Sequence, residues 1–311
     1  MMKAGLRKKW IVFILTGMLL MIFAVPCFAA DESAAGSVPD AASEQTADGT
    51  EEPEAPETPE APVYSWVVED GKTYYMDADG NCATGLQVIE EATYYFDETG
   101  VMQTGWMKID GSQYYFGDSG KMTTGWKTIE GYRYHFTRSG VMQTGFRKIN
   151  GSHYYFTQDG SMADFGIYKK KWMISYNGKC FKMPKAVSSK KTSENRMAKL
   201  IAKCSGKSCR KMRDIEKVGR AAGFIQIMYG SCKYSMKGSN YNRPYGVFYA
   251  KVASCAGTTR ALGAVLTKMG FKWKHVNENK YKHQWCSVRM DGKKGWADGM
   301  IGYVGYGAYP F

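Results

Sequence analysis

Hydrophobic and aromatic residues recur with a period of 20 residues between Ser65 and Lys182. Three successive units read GWMKIDGSQYYFGDSGKMTT, GWKTIEGYRYHFTRSGVMQT and GFRKINGSHYYFTQDGSMAD. In each unit an aromatic-led strand reaches a turn such as Asp110-Gly111, and a tyrosine-rich strand follows. Such hairpins bury their aromatic side chains only by stacking on one another. The period therefore predicts a β-solenoid of hairpins over residues 65–182, with a decayed last unit that starts at Phe165.

The hydrophobic pattern becomes helical after residue 190. Apolar side chains at helical spacing predict helices over residues 193–204 and 208–228, with Ser193 and Ser208 as their N-caps. A third apolar run opens at Cys255 and stops before Gly270, where a helix is expected to end.

Alternating residues follow these helices. The alternation over residues 283–290 predicts a half-buried strand, Asp291-Gly292 predicts a hairpin turn, and residues 295–298 form the returning strand. Helices followed by strands indicate an α+β domain. We therefore expect a multidomain chain, in which a β-hairpin solenoid of 20-residue repeats precedes an α+β domain over residues 190–311.

The first 64 residues carry no pattern of a folded domain. Residues 1–30 have a basic start, an apolar stretch and small residues at the end, which predict a signal peptide whose cleavage leaves no stable membrane span. An uncleaved anchor is the alternative, because the apolar run approaches membrane-spanning length. Residues 31–64 are acidic and rich in proline, which predicts an extended linker. Both interpretations of the first segment put the rest of the chain outside the cell.

Cys255, His283 and Asp298 are the candidate catalytic residues. A thiol at a helix N-terminus is favoured as thiolate by the unpaired backbone N–H groups and by the helix dipole. His283 and Asp298 fall on neighbouring strands of the predicted hairpin, where imidazole and carboxylate can pair. A nucleophile, a base and an orienting carboxylate are what acyl transfer through cysteine requires.

This stretch resembles the transglutaminase-like superfamily of papain-type thiol enzymes, in which a Cys-led helix precedes His-x-Trp on a strand and Asp after a short hairpin. Cys255, His283 with Trp285, and Asp298 match that pattern in order and approximate spacing. The resemblance implies a papain-like fold and a cysteine peptidase, amidase or transglutaminase activity on peptide or glutamine amide bonds, without a cofactor. Hydrolysis is favoured over transfer to an amine. The oxyanion is expected to be held by the Cys255 backbone N–H and by the side chain of Tyr249.

The repeats resemble the cell-wall-binding repeats of Gram-positive surface proteins, in the choline-binding and glucan-binding group. The resemblance implies a secreted protein at the cell wall or cell surface of a Gram-positive bacterium. The candidate ligand-binding residues are Trp106, Tyr114, Tyr115, Trp126, Tyr134, Phe146, Tyr154 and Tyr155. Choline would be held by cation–π contacts, but Arg133 stands where that group usually has Trp and would repel a cation. A glycan stacked on the same rings, and a purely structural role for them, therefore stay open.

The charge distribution indicates which macromolecules could be partners of the protein. Residues 163–311 contain 30 Lys and Arg against 7 Asp and Glu, although the net charge of the whole chain is only +13. A positive surface attracts wall polyanions such as teichoic phosphates and peptidoglycan carboxylates. No nucleic-acid-binding module is recognisable, so nucleic acid is not an expected partner.

Seven cysteines follow the predicted signal peptide. An odd number outside the cell leaves at least one thiol unpaired, and Cys255 is the expected one, whereas Cys204 and Cys209 are candidates for a bridge. No CxxC pair exists, and His275 and His283 lack the usual ligand spacing, so no metal site is expected. The competing function is a non-catalytic adhesin or scaffold whose C-terminal domain has degenerated, and the intact Cys–His–Asp set argues against it.

Overall fold

The structure is a computed structural model that describes residues 64–276 and 283–310. The predicted signal peptide, and the linker up to residue 63, lie outside the described residues. Within the described ranges no helix has the length and apolar character that a membrane crossing requires.

Five antiparallel hairpins make up the regular repeats, as the 20-residue period predicts. The first four hairpins are separate two-stranded sheets. The turn of every hairpin has two successive residues with positive φ, such as Asp110 and Gly111 at 48° and 77°. This turn geometry matches the right-handed twist of the two strands. The strands are β1 Ser65–Glu69, β2 Lys72–Met76, β3 Gly85–Ile89, β4 Ala92–Phe96, β5 Gly105–Ile109, β6 Ser112–Phe116, β7 Gly125–Ile129, β8 Tyr132–Phe136, β9 Gly145–Ile149 and β10 Ser152–Phe156.

Consecutive hairpins stack on a row of buried phenylalanines and on methionines. The last residue of each second strand from β4 to β10 is a Phe with at most 1% of its surface exposed. Backbone hydrogen bonds also join different repeats, such as the one that the N–H of Met122 donates to the carbonyl of Thr93, at 2.7 Å. A Cβ at Gly120 would lie 2.2 Å from the sulfur of Met102, so only glycine fits where the methionine packs. The methionines of the repeats are therefore structural.

The decayed last unit joins the repeats to the C-terminal half. It contains β11 Gly166–Tyr168, β12 Trp172–Ile174 and β13 Lys179–Lys182. These strands extend the last hairpin into a five-stranded sheet of order β11-β12-β13-β10-β9. Phe165 packs on Phe224 with ring centroids 4.4 Å apart, and Met173 is fully buried in the C-terminal core.

The C-terminal half is an α+β arrangement. Its helices are α1 Lys190–Cys204, α2 Asp214–Tyr229 and α3 Cys255–Met269, with a π-helical turn at Gly246–Ala250 between the last two. Two short parallel strands, β14 Lys233–Tyr234 and β15 Val252–Ala253, precede a four-stranded antiparallel sheet of β16 Trp273–Val276, β17 Trp285–Met290, β18 Lys293–Asp298 and β19 Tyr303–Tyr306. Helices α1 and α2 both pack against α3, which also contacts the sheet. The core is formed by fully buried side chains such as Ile225, Leu262 and Met290.

Two predicted helix starts are wrong. Helix α1 is capped by Ser189, whose hydroxyl accepts a hydrogen bond from the backbone of Thr192, whereas Ser193 is buried inside the helix. Helix α2 begins at Asp214 rather than near Ser208. Its first backbone N–H groups, at Asp214 and Ile215, donate to the carboxylate of Asp291 at 2.8 and 3.1 Å. Glu216 adds a local cap by accepting from the backbone N–H of Arg213 at 3.2 Å. The contacts from Asp291, 77 residues away, leave no local signal.

Two further predictions need correction. Strand β17 begins at Trp285, so His283 lies just before the strand and not on it. All seven cysteines of the described residues are unbonded, including the candidate pair Cys204 and Cys209. Cys204 is fully buried at the end of α1 and faces the core, whereas Cys209 lies beyond the turn at Gly206 and is partly exposed.

Candidate functional site

The thiol of Cys255 lies at the first position of α3, where it is 9% exposed. The backbone N–H groups of Cys255 and Ala256 help to lower the pKa of the thiol, as expected at the positive end of a helix dipole. The preceding Ser254 is in extended conformation, at φ −120° and ψ −179°. The hydroxyl of Thr259 lies 2.8 Å from the carbonyl oxygens of both Cys255 and Gln284. It ties the helix tip to the residue that follows His283.

His283 and Asp298 lie in direct contact, as predicted. His283 Nε2 is 2.6 Å from Oδ2 of Asp298, the hydrogen bond expected from the hairpin. The register explains this contact, because Cys286 on β17 pairs with Ala297 on β18 and the chain just before Trp285 therefore runs beside Asp298. His283 also hydrogen-bonds to Cys255.

The three groups change one another's pKa values in the directions that favour a thiolate–imidazolium ion pair. The hydrogen bond from His283 lowers the pKa of the Cys255 thiol against the opposing effect of burial. Hydrogen bonds to Asp298 and to Cys255 raise the pKa of His283 to about 9. Burial acts to raise the pKa of the Asp298 carboxyl, but hydrogen bonds from His283 and Tyr309 outweigh it and the pKa lies below its ordinary value. A thiolate beside an imidazolium, oriented by a carboxylate, is the reactive form of a cysteine nucleophile.

Asp298 is fully buried and accepts hydrogen bonds on both carboxylate oxygens. The backbone N–H of Met300 donates to Oδ1 at 2.8 Å. The hydroxyl of Tyr309 donates to Oδ2 at 2.6 Å, so Oδ2 is shared between Tyr309 and His283. These contacts fix the carboxylate in the orientation that holds the imidazole.

Tyr309 is a member of the site that sequence reasoning missed. Its ring stacks on Trp285 with a centroid distance of 4.0 Å and an interplanar angle of 8°. It also meets Trp296 edge-on at 4.9 Å. Tyr309 lies 11 residues after Asp298, beyond β19, in a segment without periodicity. No local signal in the sequence marks it.

The structure does not bring Tyr249 to the thiol. Its hydroxyl donates to the backbone carbonyl of Ser193 at 3.2 Å, and its ring packs on Tyr245. The donor proton is therefore already used on α1, and the expected oxyanion role is wrong. Burial raises the pKa of Tyr229, at the end of α2, and the charge of Cys255 contributes to the same shift.

In the repeats, Trp106 forms an aromatic cluster with Tyr115 of its own hairpin and Tyr134 of the next. The ring centroids of Tyr115 and Tyr134 lie 5.1 and 5.0 Å from that of Trp106, both edge-on. Trp106 is 37% exposed, so its ring is open to a ligand. An exposed tryptophan with two tyrosines around it can hold a quaternary ammonium by cation–π contacts or a sugar by stacking.

The first repeat contains a matching cluster that was not among the predicted residues. Trp66 lies 5.0 Å from Tyr75 and 4.9 Å from Tyr94, and it is 40% exposed. Trp66, Leu86, Trp106 and Trp126 occupy the same position in successive 20-residue repeats. The period could therefore have identified Trp66 as a candidate ligand-binding residue. Leu86 replaces the tryptophan in the second repeat, which leaves Tyr114 without a tryptophan partner.

The cluster around Trp126 is capped by the protein itself. Trp126 lies 4.9 Å from Tyr154 and from His135, which stands in the place of a tyrosine. The guanidinium carbon of Arg133 lies over the Trp126 ring, 4.4 Å from its centroid. The Arg133 cation thus already makes a cation–π contact with this ring.

Phe146 and Tyr155 belong to the end of the array. Phe146 stacks on Tyr168 at 5.5 Å, and Tyr155 stacks on the same Tyr168 at 4.5 Å. Trp172 packs on Phe146 from the last unit, at 4.9 Å. These rings therefore pack against the last unit of the array.

Family comparisons identify the repeats. The family model for the choline-binding repeat matches residues 83–124 and 123–164, and that for a cell wall binding repeat matches residues 65–82. The hairpin array is therefore made of choline-binding, cell-wall-type repeats. The matched residues all precede α1, so they do not include Cys255, His283 or Asp298. Comparison with the curated proteins gave no match.

Several solved structures from Streptococcus pneumoniae are similar to part of the chain. Choline binding protein F, in the presence of a peptidoglycan analogue, is 31% identical over 39% of this chain and 44% of its own, with a TM-score of 0.36. CbpJ from strain TIGR4 is 28% identical over 37% of this chain and 41% of its own, with a TM-score of 0.36. The modular autolysin LytC is 21% identical over 40% of this chain and 30% of its own, with a TM-score of 0.32. Each similarity thus spans less than half of either chain.

Proposed function

We propose that the chain is an exported, wall-associated thiol enzyme of the transglutaminase-like type, which cleaves amide bonds through Cys255, His283 and Asp298. The observation that carries the proposal is the pairing of His283 with both other residues, at 2.6 Å from Asp298 and in a hydrogen bond to Cys255. Its raised pKa and the lowered pKa of the thiol favour a thiolate–imidazolium pair at neutral pH.

In the first half of the reaction the Cys255 sulfur attacks the carbonyl carbon of a peptide or glutamine amide. A carbon–sulfur bond forms, and the oxyanion is stabilised by backbone N–H groups at the tip of α3. The carbon–nitrogen bond then breaks, and the His283 imidazolium gives its proton to the leaving amine. Asp298 keeps the imidazole oriented throughout.

In the second half a water molecule attacks the thioester. Neutral His283 takes a proton from the water, the carbon–sulfur bond breaks, and the products are a carboxylic acid and free Cys255. A primary amine in place of water would give transamidation with the same residues. We favour water, because it is always present at the thioester.

The repeats hold the enzyme at its substrate in this proposal. The open clusters around Trp66 and Trp106 are the sites for a wall ligand, and choline is favoured because the repeats are of the choline-binding type. A glycan polymer that stacks on the same rings is the alternative ligand. The Trp126 cluster contributes little, since Arg133 covers it.

Incubation with purified wall fragments and a labelled primary amine tests the reaction. Mass spectrometry of the products is expected to find new carboxyl groups and free amines with the native protein and none with Cys255→Ala. Cys209→Ser serves as the matched control, because Cys209 is a partly exposed thiol outside the site. Label in the products would instead identify an amine transferase.

A non-catalytic wall-binding protein is the second candidate, favoured by the repeats and their open aromatic clusters. It predicts that Cys255→Ala behaves as the native protein in every assay. An absence of any product from wall fragments, together with an unreactive Cys255, would decide for this candidate.

A further inference from the structure

A cavity of about 690 Å³ lies between the last repeat unit and the helices of the C-terminal half, apart from the Cys255 site. Its interior is apolar, and the residues that supply this surface are Ile167, Met183, Pro184, Ala186, Met197, Ile227, Met228 and Phe248. Neither Cys255, His283 nor Asp298 lines it. A concave apolar site of this volume is of the size that small organic ligands occupy.

Five lysines are among the residues that line the cavity, and no acidic residue is. They are Lys170, Lys171, Lys182, Lys185 and Lys251. All five are exposed, and within the described part of the chain none of them has a carboxylate partner within ion-pair distance. Their charges are therefore available to an anion outside the protein.

Ile227 is an exposed apolar residue of the cavity lining. It leaves 39% of its surface open on the side of α2 that also exposes Gln226. Lys251 follows the π-helical turn and adopts a left-handed conformation with φ 57°, which orients this non-glycine residue at an energetic cost. Single-turn π-helices are frequent at functional sites.

We infer that the cavity binds a single-chain amphiphile with a phosphate head group. The acyl chain occupies the apolar interior, and the phosphate lies among the lysines, which bind phosphate as point charges. A phosphate suits the rim better than a carboxylate, since it carries more charge and three acceptor oxygens toward five lysines. The site is independent of the proposed reaction at Cys255 and of the aromatic clusters.

Isothermal titration calorimetry of the protein with decyl phosphate tests the inference. The decyl phosphate is kept below its critical micelle concentration. Saturable binding at one site is expected. Inorganic phosphate and the neutral amphiphile decyl maltoside should each bind at least about tenfold more weakly, because each supplies only half of the interaction. Equal binding of decyl maltoside, equal binding of inorganic phosphate, or an absence of saturable binding would overturn the inference.

Two variants locate the site. Ile227→Asn should weaken decyl phosphate binding about tenfold, whereas Leu86→Asn, at a similarly exposed apolar residue of the repeats, should not. The double variant Lys171→Gln/Lys185→Gln should have the same effect, with the exposed pair Lys199→Gln/Lys207→Gln as its control. Circular dichroism checks that each variant is folded. Native affinity in both cavity variants would reject the assignment.

Discussion

The hydroxyl of Tyr309 and the carboxylate of Asp298 are joined by a hydrogen bond of 2.6 Å, on the oxygen that also binds His283. The Tyr309 ring is held flat against Trp285, so the donor is fixed in place. Tyr309 is a positioning residue, which acts through Asp298.

Tyr309→Phe should lower turnover about tenfold and leave the stack on Trp285 intact, since only the hydroxyl is lost. The hydrogen bond from Tyr309 helps to keep the pKa of Asp298 low. Its removal raises that pKa, so the Asp298 carboxyl should titrate at higher pH, which infrared spectroscopy of its carboxylate band measures. Tyr306→Phe removes a comparable hydrogen bond to Asp291 and serves as the control. An unmoved Asp298 titration would assign Tyr309 a purely structural role.

Asp298→Asn keeps the shape of the side chain and removes its charge. Turnover should fall by about 10² to 10⁴, because the imidazolium loses the anion that stabilises it. The pKa of His283, raised to about 9 mainly by Asp298, should fall toward its ordinary value. Proton NMR titration of the His283 ring measures this shift. A His283 pKa that stays near 9 would mean that another group orients the ring.

The activity should depend on pH in a bell shape. The rising limb follows ionisation of Cys255, whose pKa is lowered by His283. The falling limb lies near pH 9, where His283 loses the proton that the leaving amine needs. Rates of product release from wall fragments across pH 5–11 measure both limbs. A rate that keeps rising above pH 9 would contradict the thiolate–imidazolium pair.

Choline binding should depend on the open clusters and not on the capped one. Trp106→Ala should weaken choline binding by the intact protein, because a cation–π face is lost. Trp126→Ala should have little effect, and Arg133→Gln should add a binding site by uncovering Trp126. Equilibrium dialysis with labelled choline counts the sites. Retention on wall material that choline does not release, but a soluble glycan does, would favour the glycan alternative.

The parts of the site set by short-range pattern were predictable from the sequence. The Asp291-Gly292 turn has positive φ at both residues and fixes which residues face each other across β17 and β18. That register was enough to predict that His283 would pair with Asp298. The 20-residue period fixed the hairpins for the same reason, since each repeat contains its own turn.

The parts that depend on long-range contact were not predictable. One cap of α2 comes from Asp291, and the second donor to Asp298 comes from Tyr309 beyond the last strand. The Tyr249 prediction failed because its hydroxyl is used by Ser193 on another helix. Each of these contacts joins segments whose local sequence is compatible with many partners.

The relative reactivity of the seven cysteines tests the central claim most directly. Burial raises the pKa of Cys180, Cys204, Cys232 and Cys286, whereas His283 lowers that of Cys255. Brief treatment with iodoacetamide at mildly acidic pH, followed by peptide mapping, should therefore find Cys255 modified first. In His283→Ala its rate should fall at least about tenfold. Modification of another cysteine before Cys255, or an unchanged rate in His283→Ala, would contradict the account.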